Sequence, residues 1–547
     1  MKKILALLLA ALLLAGMMST VALAAEGDTV MTVTGLEDAA SVKYYKIIEW
    51  DETVDGGWKW AEPYASNASS FTADLLKEIT GTPKHEEDGQ VVEAVPGKIT
   101  MDAANLIASV SNSSALNGGT LSEGSWTATA TKDQKGLYMV VPTSKAGSDV
   151  IYNPVFIAAN HGKDANSIGT DSAYAEGTTI TAMAKKTTET VNKTADKYTF
   201  NGFTYEEGEK KPGDTITFTV TTTLPVYADN YTNPVFKISD QVSSGIQITK
   251  STIAIAELEA ADWEITSFDD TNKDDFVVSI KEAKLKSLTA PLAITLTYKA
   301  LITDDAPKTV NEQNNKVKIN FSNGPDDDEG HGEKRDKTRH WTFSIDASVL
   351  GNEEYHTSEL VKVGLNPDGT EKTKTTTYDN GTEAHALDGA TFQLKQGDKV
   401  IREVTTAGGN GYIHFEGLDV GTYTLVETAA PAGYVRDMNP HTVVVAAEVA
   451  HDLEETDSEG YKYTTDRLVS YSITIDGTTS SYTFDNGTLV QNITQGDKTT
   501  KINNTQGLEL PSTGGMGTTI LYVGGSILVL LAVILLVTKR RMNANDD

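Results

Sequence analysis

Short runs in which apolar and polar residues alternate recur along most of the chain. Residues 215–221 read Thr-Ile-Thr-Phe-Thr-Val-Thr, and residues 317–321 read Val-Lys-Ile-Asn-Phe. Side chains two apart share a face of an extended strand, so each run presents one apolar and one polar face. The runs are rich in Thr, Val, Ile and Tyr and end at Gly, Asp and Asn, residues that favour turns. This pattern predicts half-buried antiparallel strands packed as β-sandwiches, an all-β fold. Helical spacing is confined to the first third, at 70–79 and 101–111.

Two continuous apolar runs break the alternation. The first, from Ile4 to Met18, follows Lys2 and Lys3 and leads to Ala22-Leu23-Ala24-Ala25. A basic start, a short apolar centre and a small-residue exit make a secretory signal peptide over 1–25, with the mature chain beginning near Glu26. The second, Ile520 to Val537, is charge-free and long enough to span a bilayer as a helix. Lys539, Arg540 and Arg541 follow it as a stop-transfer cluster.

The 547 residues leave room for three domains between these runs. A charged, Thr-rich stretch at 184–190 and the segment 324–358 mark boundaries, giving blocks at 26–186, 187–350 and 351–508 and a C-terminal region at 509–547. The acidic run Asp326-Asp327-Asp328-Glu329 lacks the alternation of ligands that a calcium loop needs and is expected to be a solvated loop. Hydrophobic residues make up 39% of the chain, enough for packed cores. Cysteine is absent, so a secreted chain must find covalent stapling elsewhere. The net charge of -30 argues against nucleic-acid partners, which require clustered Lys and Arg. The nine histidines lack metal-ligand spacing, and no metal or cofactor is expected. The hydrolase and P-loop signatures H-E-x-x-H, G-x-S-x-G and G-x-x-x-x-G-K are also missing.

Directly before the second apolar run stands Leu510-Pro511-Ser512-Thr513-Gly514. With the apolar span and basic tail behind it, this pentapeptide resembles the LPxTG sorting signal of Gram-positive surface proteins. The resemblance implies cleavage between Thr513 and Gly514 by a sortase. The Thr513 carboxyl is then held as a thioester until an amine attacks it. In the third block, Leu387-Asp388-Gly389-Ala390-Thr391-Phe392-Gln393-Leu394, then Gly421-Thr422-Tyr423-Thr424-Leu425-Val426-Glu427-Thr428 and Pro431-Ala432-Gly433-Tyr434, resemble a Cna-B-type immunoglobulin-like domain. An insertion interrupts the resemblance around 448–485. The order and lengths of the blocks are similar to those of sortase-assembled backbone pilins.

That family joins a Lys to an Asn side chain autocatalytically, assisted by an acid. The chemistry needs a neutral amine, which burial favours, and a protonated acid to polarise the amide and relay protons. For the third block the resemblance implies Lys362, Glu427 and Asn504, with Asn503 as the alternative. For the middle block it implies Lys193 and Asp240. The parity of Val317, Ile319 and Phe321 puts both Asn315 and Asn323 on the inward face, and Asn323 is preferred because the family places its Asn just past the aromatic residue. Backbone pilins also carry a polymerising Lys at the end of the first domain. Lys185 fits that place, with Lys186 as the alternative, although Met183 and Ala184 stand where the family has an aromatic and a proline.

The implied function is a covalently polymerised pilus shaft subunit that supports adhesion and is not an enzyme. Its implied partners are a pilin sortase and a housekeeping sortase, identical subunits, accessory tip and base pilins, and peptidoglycan at the cell surface. The alternative is a monomeric wall-anchored adhesin that binds a host or matrix ligand.

Overall fold

The computed structural model describes residues 28–159, 179–345, 359–489, 499–507 and 516–543, less 55, 83, 111–114, 207–208, 309, 311, 379–380, 459 and 486–487. The signal peptide and Leu510, Pro511, Ser512, Thr513 and Gly514 lie outside the described residues. Three β-sandwich domains follow one another, and the chain closes on an apolar helix, Met516–Asn543.

In the first domain, strands Thr179–Met183, Thr29–Thr34, Ser125–Ala130 and Thr120–Ser122 form one sheet. Val155–Ala159, Gly136–Ser144, Ala39–Trp50 and Trp58–Trp60 form the other. The strand Gly136–Ser144 serves two cores. Tyr138 and Val140 face the space between the sheets, with Met31, Val33 and Trp126. Leu137, Met139 and Val141 face outward under two short helices, with Ile79 and Ile107. A strand covered on both faces reads as a nearly continuous apolar run, and this one does. The helices are Ala73–Thr80 and Met101–Ala108. The first begins later than its spacing suggests because the Thr72 hydroxyl accepts from the Leu75 amide at 3.2 Å and sets the N-cap there.

The second domain packs Val191–Ala195, Thr215–Leu224, Leu292–Ile302 and Ile246–Ile248 against a sheet of Trp263–Phe268, Asp275–Ile280, Phe236–Val242, Gln313–Phe321 and Gly332–His340. Ile216, Phe218, Val220 and Leu224 from one sheet meet Phe236, Ile238, Val317, Ile319 and Phe321 from the other.

The third domain has a seven-stranded sheet: Lys399–Thr405, Thr391–Gln396, Gly421–Ala429, His441–Thr456, Lys462–Ile475, Thr478–Asp485 and Thr488–Leu489. Its first and last strands, Leu360–Leu365 and Thr500–Thr505, run parallel to each other as a separate pair. Trp341 and Phe343–Ile345, counted with the middle block from sequence, pack into this third core, and Phe343–Ile345 pairs with Phe415–Leu418.

The insertion is a long hairpin, His441–Thr456 with Lys462–Ile475, whose outer half leaves its own sandwich. Glu455 takes two hydrogen bonds of 2.9 Å from Arg339 in the second domain. Lys337 lies 4.4 Å from the Tyr463 ring centroid, and Arg335 lies 3.9 Å from that of Tyr461. Asp327, expected in solvent, is turned inward and accepts from the amides of Asn323, Gly330 and His331, which organises its loop.

Candidate isopeptide sites

Lys362 sits in a strand buried on both sides. Val361 and Val363 pack with Tyr378 and Ala384, while Leu360 faces the main core. The lysine shares the parity of Leu360, so its side chain enters that core and is fully buried. A neighbouring segment must pass close by, because the Lys362 amide donates to the Gly411 carbonyl at 2.7 Å. At Gly411 the backbone has φ +65°, and a Cβ there would lie 2.5 Å from the Lys362 carbonyl oxygen, so glycine is required.

Glu427 follows Tyr423 and Leu425 on the inward face of its strand, and Asn504 follows Ile502 on its own. Asn503 points outward, which decides between the two asparagines. The three side chains close a ring. Lys362 Nζ donates to Asn504 Oδ1 at 2.6 Å and to Glu427 Oε2 at 3.0 Å. Asn504 Nδ2 donates to Glu427 Oε1 at 2.7 Å. The Asp437 amide holds Glu427 Oε2 from outside at 2.8 Å. Burial pushes the Lys362 ammonium below its ordinary pKa, and the Glu427 carboxylate opposes that shift.

The second domain builds a different cluster. Lys193 is fully buried and ion-paired to Asp240, with the Phe218 and Tyr298 ring centroids each 5.1 Å from its Nζ. Burial lowers the lysine pKa and raises that of Asp240, and their mutual attraction opposes both shifts. Lys193 Nζ also donates to the Tyr298 hydroxyl at 2.9 Å, and that hydroxyl donates to Asp240 Oδ1 at 2.5 Å. Asn315 completes the cluster by donating its Nδ2 to the Tyr298 oxygen.

Asn323, the residue preferred from sequence, does not reach Lys193. It lies past the end of the Gln313–Phe321 strand, and its Nδ2 donates to the Lys145 carbonyl of the first domain at 2.8 Å. Eight residues of extended chain place it roughly 26 Å from Asn315. Sequence reasoning missed Tyr298 altogether. Its only signal was parity, since it follows Ile294 and Leu296 on the inward face of its strand.

Lys185 and Lys186 are exposed. Lys186 pairs with Asp38 at 2.9 Å and Glu37 at 3.6 Å, whereas no carboxylate among the described residues lies within ion-pair distance of Lys185. On the C-terminal helix, the apolar stretch Leu521–Arg540 is long enough to cross a membrane and has no protein packed over it.

The fold is a multi-domain β protein of stacked sandwiches, two of which carry a buried Lys–acid–Asn cluster, and residues 371–459 match the SpaA prealbumin-like fold domain. The chain is 22% identical over 463 residues to the trypsin-resistant surface T6 protein of Streptococcus pyogenes serotype M6, covering 76% of this chain and 80% of that one. Among solved structures, the T6 backbone pilin of that serotype aligns at 18% identity and TM-score 0.47, over 88% of this chain and 98% of its own. The full-length major pilin SpaD of Corynebacterium diphtheriae aligns at 15% identity and TM-score 0.41, over 88% and 98%.

Proposed function

We propose that this chain is the repeating subunit of a covalently polymerised pilus, secreted, joined to its neighbours by a sortase and finally anchored to peptidoglycan. The observation that carries the reading is the closed ring of Lys362, Glu427 and Asn504. Burying a lysine, a glutamate and an asparagine together in an apolar core is costly even when they pair, and amide formation would consume the lysine amine and leave Glu427 neutral. Proton transfer from Lys362 to Glu427 leaves a neutral amine 2.6 Å from the Asn504 carbonyl oxygen. The amine attacks Asn504 Cγ, Glu427 gives its proton to the departing Nδ2, and the carboxylate then takes the surplus proton of the former amine. The products are a Lys–Asn amide and ammonia. The second cluster joins Lys193 to Asn315 with the same balance.

In this proposal the sorting signal Leu510–Gly514 is cut after Thr513, and Lys185 of the next subunit takes the acyl group. The pairing of Lys186 with two carboxylates favours Lys185 as the free nucleophile. The T6 relative is named a trypsin-resistant surface protein, a property that side-chain amides closing the second and third sandwiches would give this chain.

Intact mass spectrometry of residues 26–509 tests the internal bonds. Each amide releases ammonia, so the mass should fall by about 17 Da per bond. An unmodified mass ends the reading. Boiling the wall fraction in detergent tests polymerisation. A ladder abolished by Lys185→Ala supports the shaft subunit, and a single monomer band would leave a wall-anchored adhesin instead.

A further inference from the structure

The two clusters solve one problem of reach in different ways. In the third domain a single acid touches both reacting groups, with Glu427 Oε2 on the amine and Oε1 on the amide nitrogen. In the second domain the acid is the shorter Asp240, which contacts Lys193 and Tyr298. Asn315 meets this network only through the Tyr298 hydroxyl, and its Oδ1 is buried with no hydrogen-bond partner among the described residues. The phenol therefore occupies the gap left by one missing methylene.

Resting on the isopeptide reading of this site, we infer that Tyr298 is a catalytic proton relay for the Lys193–Asn315 bond. Lys193 passes a proton to Asp240 and attacks Asn315 Cγ. Asp240 returns a proton to the Tyr298 oxygen while the Tyr298 hydroxyl proton moves to the departing Asn315 nitrogen, which leaves as ammonia. Asp240 then collects the surplus proton on the new amide nitrogen. Tyr298 ends as it began and Asp240 ends protonated, holding the proton that Lys193 gave up, so the step needs no co-reactant. The phenol moves its proton in concert with the gain of another, because burial and the neighbouring Asp240 raise its pKa well above the ordinary value and disfavour a free phenolate. Phe218 and Phe276 flank the Tyr298 ring at centroid distances of 5.3 and 5.1 Å and hold the hydroxyl in place.

The test is peptide mapping of the full chain, with the Lys362–Asn504 peptide as internal reference. Tyr298→Phe keeps the ring and removes only the relay. Its Lys193–Asn315 peptide should fall at least tenfold while the reference peptide stays complete. In the double variant Tyr298→Phe with Asp240→Glu, the longer acid can span both groups as Glu427 does, and the link should return. Wild-type linkage in Tyr298→Phe, or no recovery in the double variant, overturns the relay. Absence of the Lys193–Asn315 peptide from the wild-type chain would instead overturn the isopeptide reading of the second domain itself.

Discussion

At the scale of single residues, each buried lysine is tied to one acid, and the acid decides its fate. Glu427→Ala should abolish the Lys362–Asn504 bond and leave an amine in an apolar core without its counter-charge. The two residues are 142 apart in sequence, and closing a loop of that length contributes roughly 5 kcal/mol if disulfide arithmetic transfers. For a domain of this size the melting temperature should fall by about 10–20 °C, measured by calorimetry. A change under about 3 °C would mean that no bond had formed in the parent. The members of this ring were legible because the motif resemblance carried them, and the strand parity seen in the fold separates Asn504 from Asn503. In the second domain parity left Asn315 and Asn323 equal. What separates them is where the strand stops, and that depends on the loop built around Asp327. Tyr298 belongs to no motif, and an inward tyrosine looks like any other core aromatic.

At the scale of elements, the hairpin His441–Thr456 with Lys462–Ile475 is the feature least readable from sequence. The insertion was visible, but its docking depends on Arg339 and Glu455, which lie 116 residues apart. Burial alone would raise the Glu455 pKa, yet the hydrogen bonds and charge of Arg339, aided by Lys337 and Tyr463, bring it down to about 2. A carboxylate whose folded pKa is depressed stabilises the docked state above its unfolded value, about 4.3, and loses that contribution as pH falls towards about 2. Glu455→Gln should therefore dock more weakly than the parent at neutral pH, and the two should converge once the pH falls below about 2. Hydrogen exchange of the amides in 452–466, followed against pH in both proteins, measures the difference. Asp466, whose pKa burial raises, is present in both proteins and cancels in the comparison. Identical protection at neutral pH would show that the hairpin rests on its aromatic contacts, Tyr461 and Tyr463, and not on the ion pair.

At the scale of the whole molecule, the placement of the two proposed bonds follows the path that tension would take. In the proposed filament a subunit is held at Lys185 and at Thr513. Load then enters the second domain at Val191–Ala195, crosses from Lys193 to Asn315, passes to Leu360–Leu365, and crosses again from Lys362 to Asn504. Leu360–Leu365 and Thr500–Thr505 are parallel neighbours pulled from opposite ends, so a force that would shear their hydrogen bonds falls on the amide instead. The first domain, where no described lysine is buried, lies outside this path. It needs no staple because it carries no load. Single-molecule pulling between Lys185→Cys and a handle placed after residue 509 should show neither hidden loop in the wild-type chain. Glu427→Ala should add an unfolding step of about 500 Å, from 142 residues at about 3.5 Å each. Asp240→Ala should add about 430 Å, from the roughly 122 residues between Lys193 and Asn315. Moving the first handle to residue 28 should bring the first domain into the path and add its unfolding to every trace. A step of either loop length in the wild-type chain pulled from Lys185 would show that the sandwiches bear load through hydrogen bonds alone, and the assignment of these lysines to a tension-bearing shaft would fail.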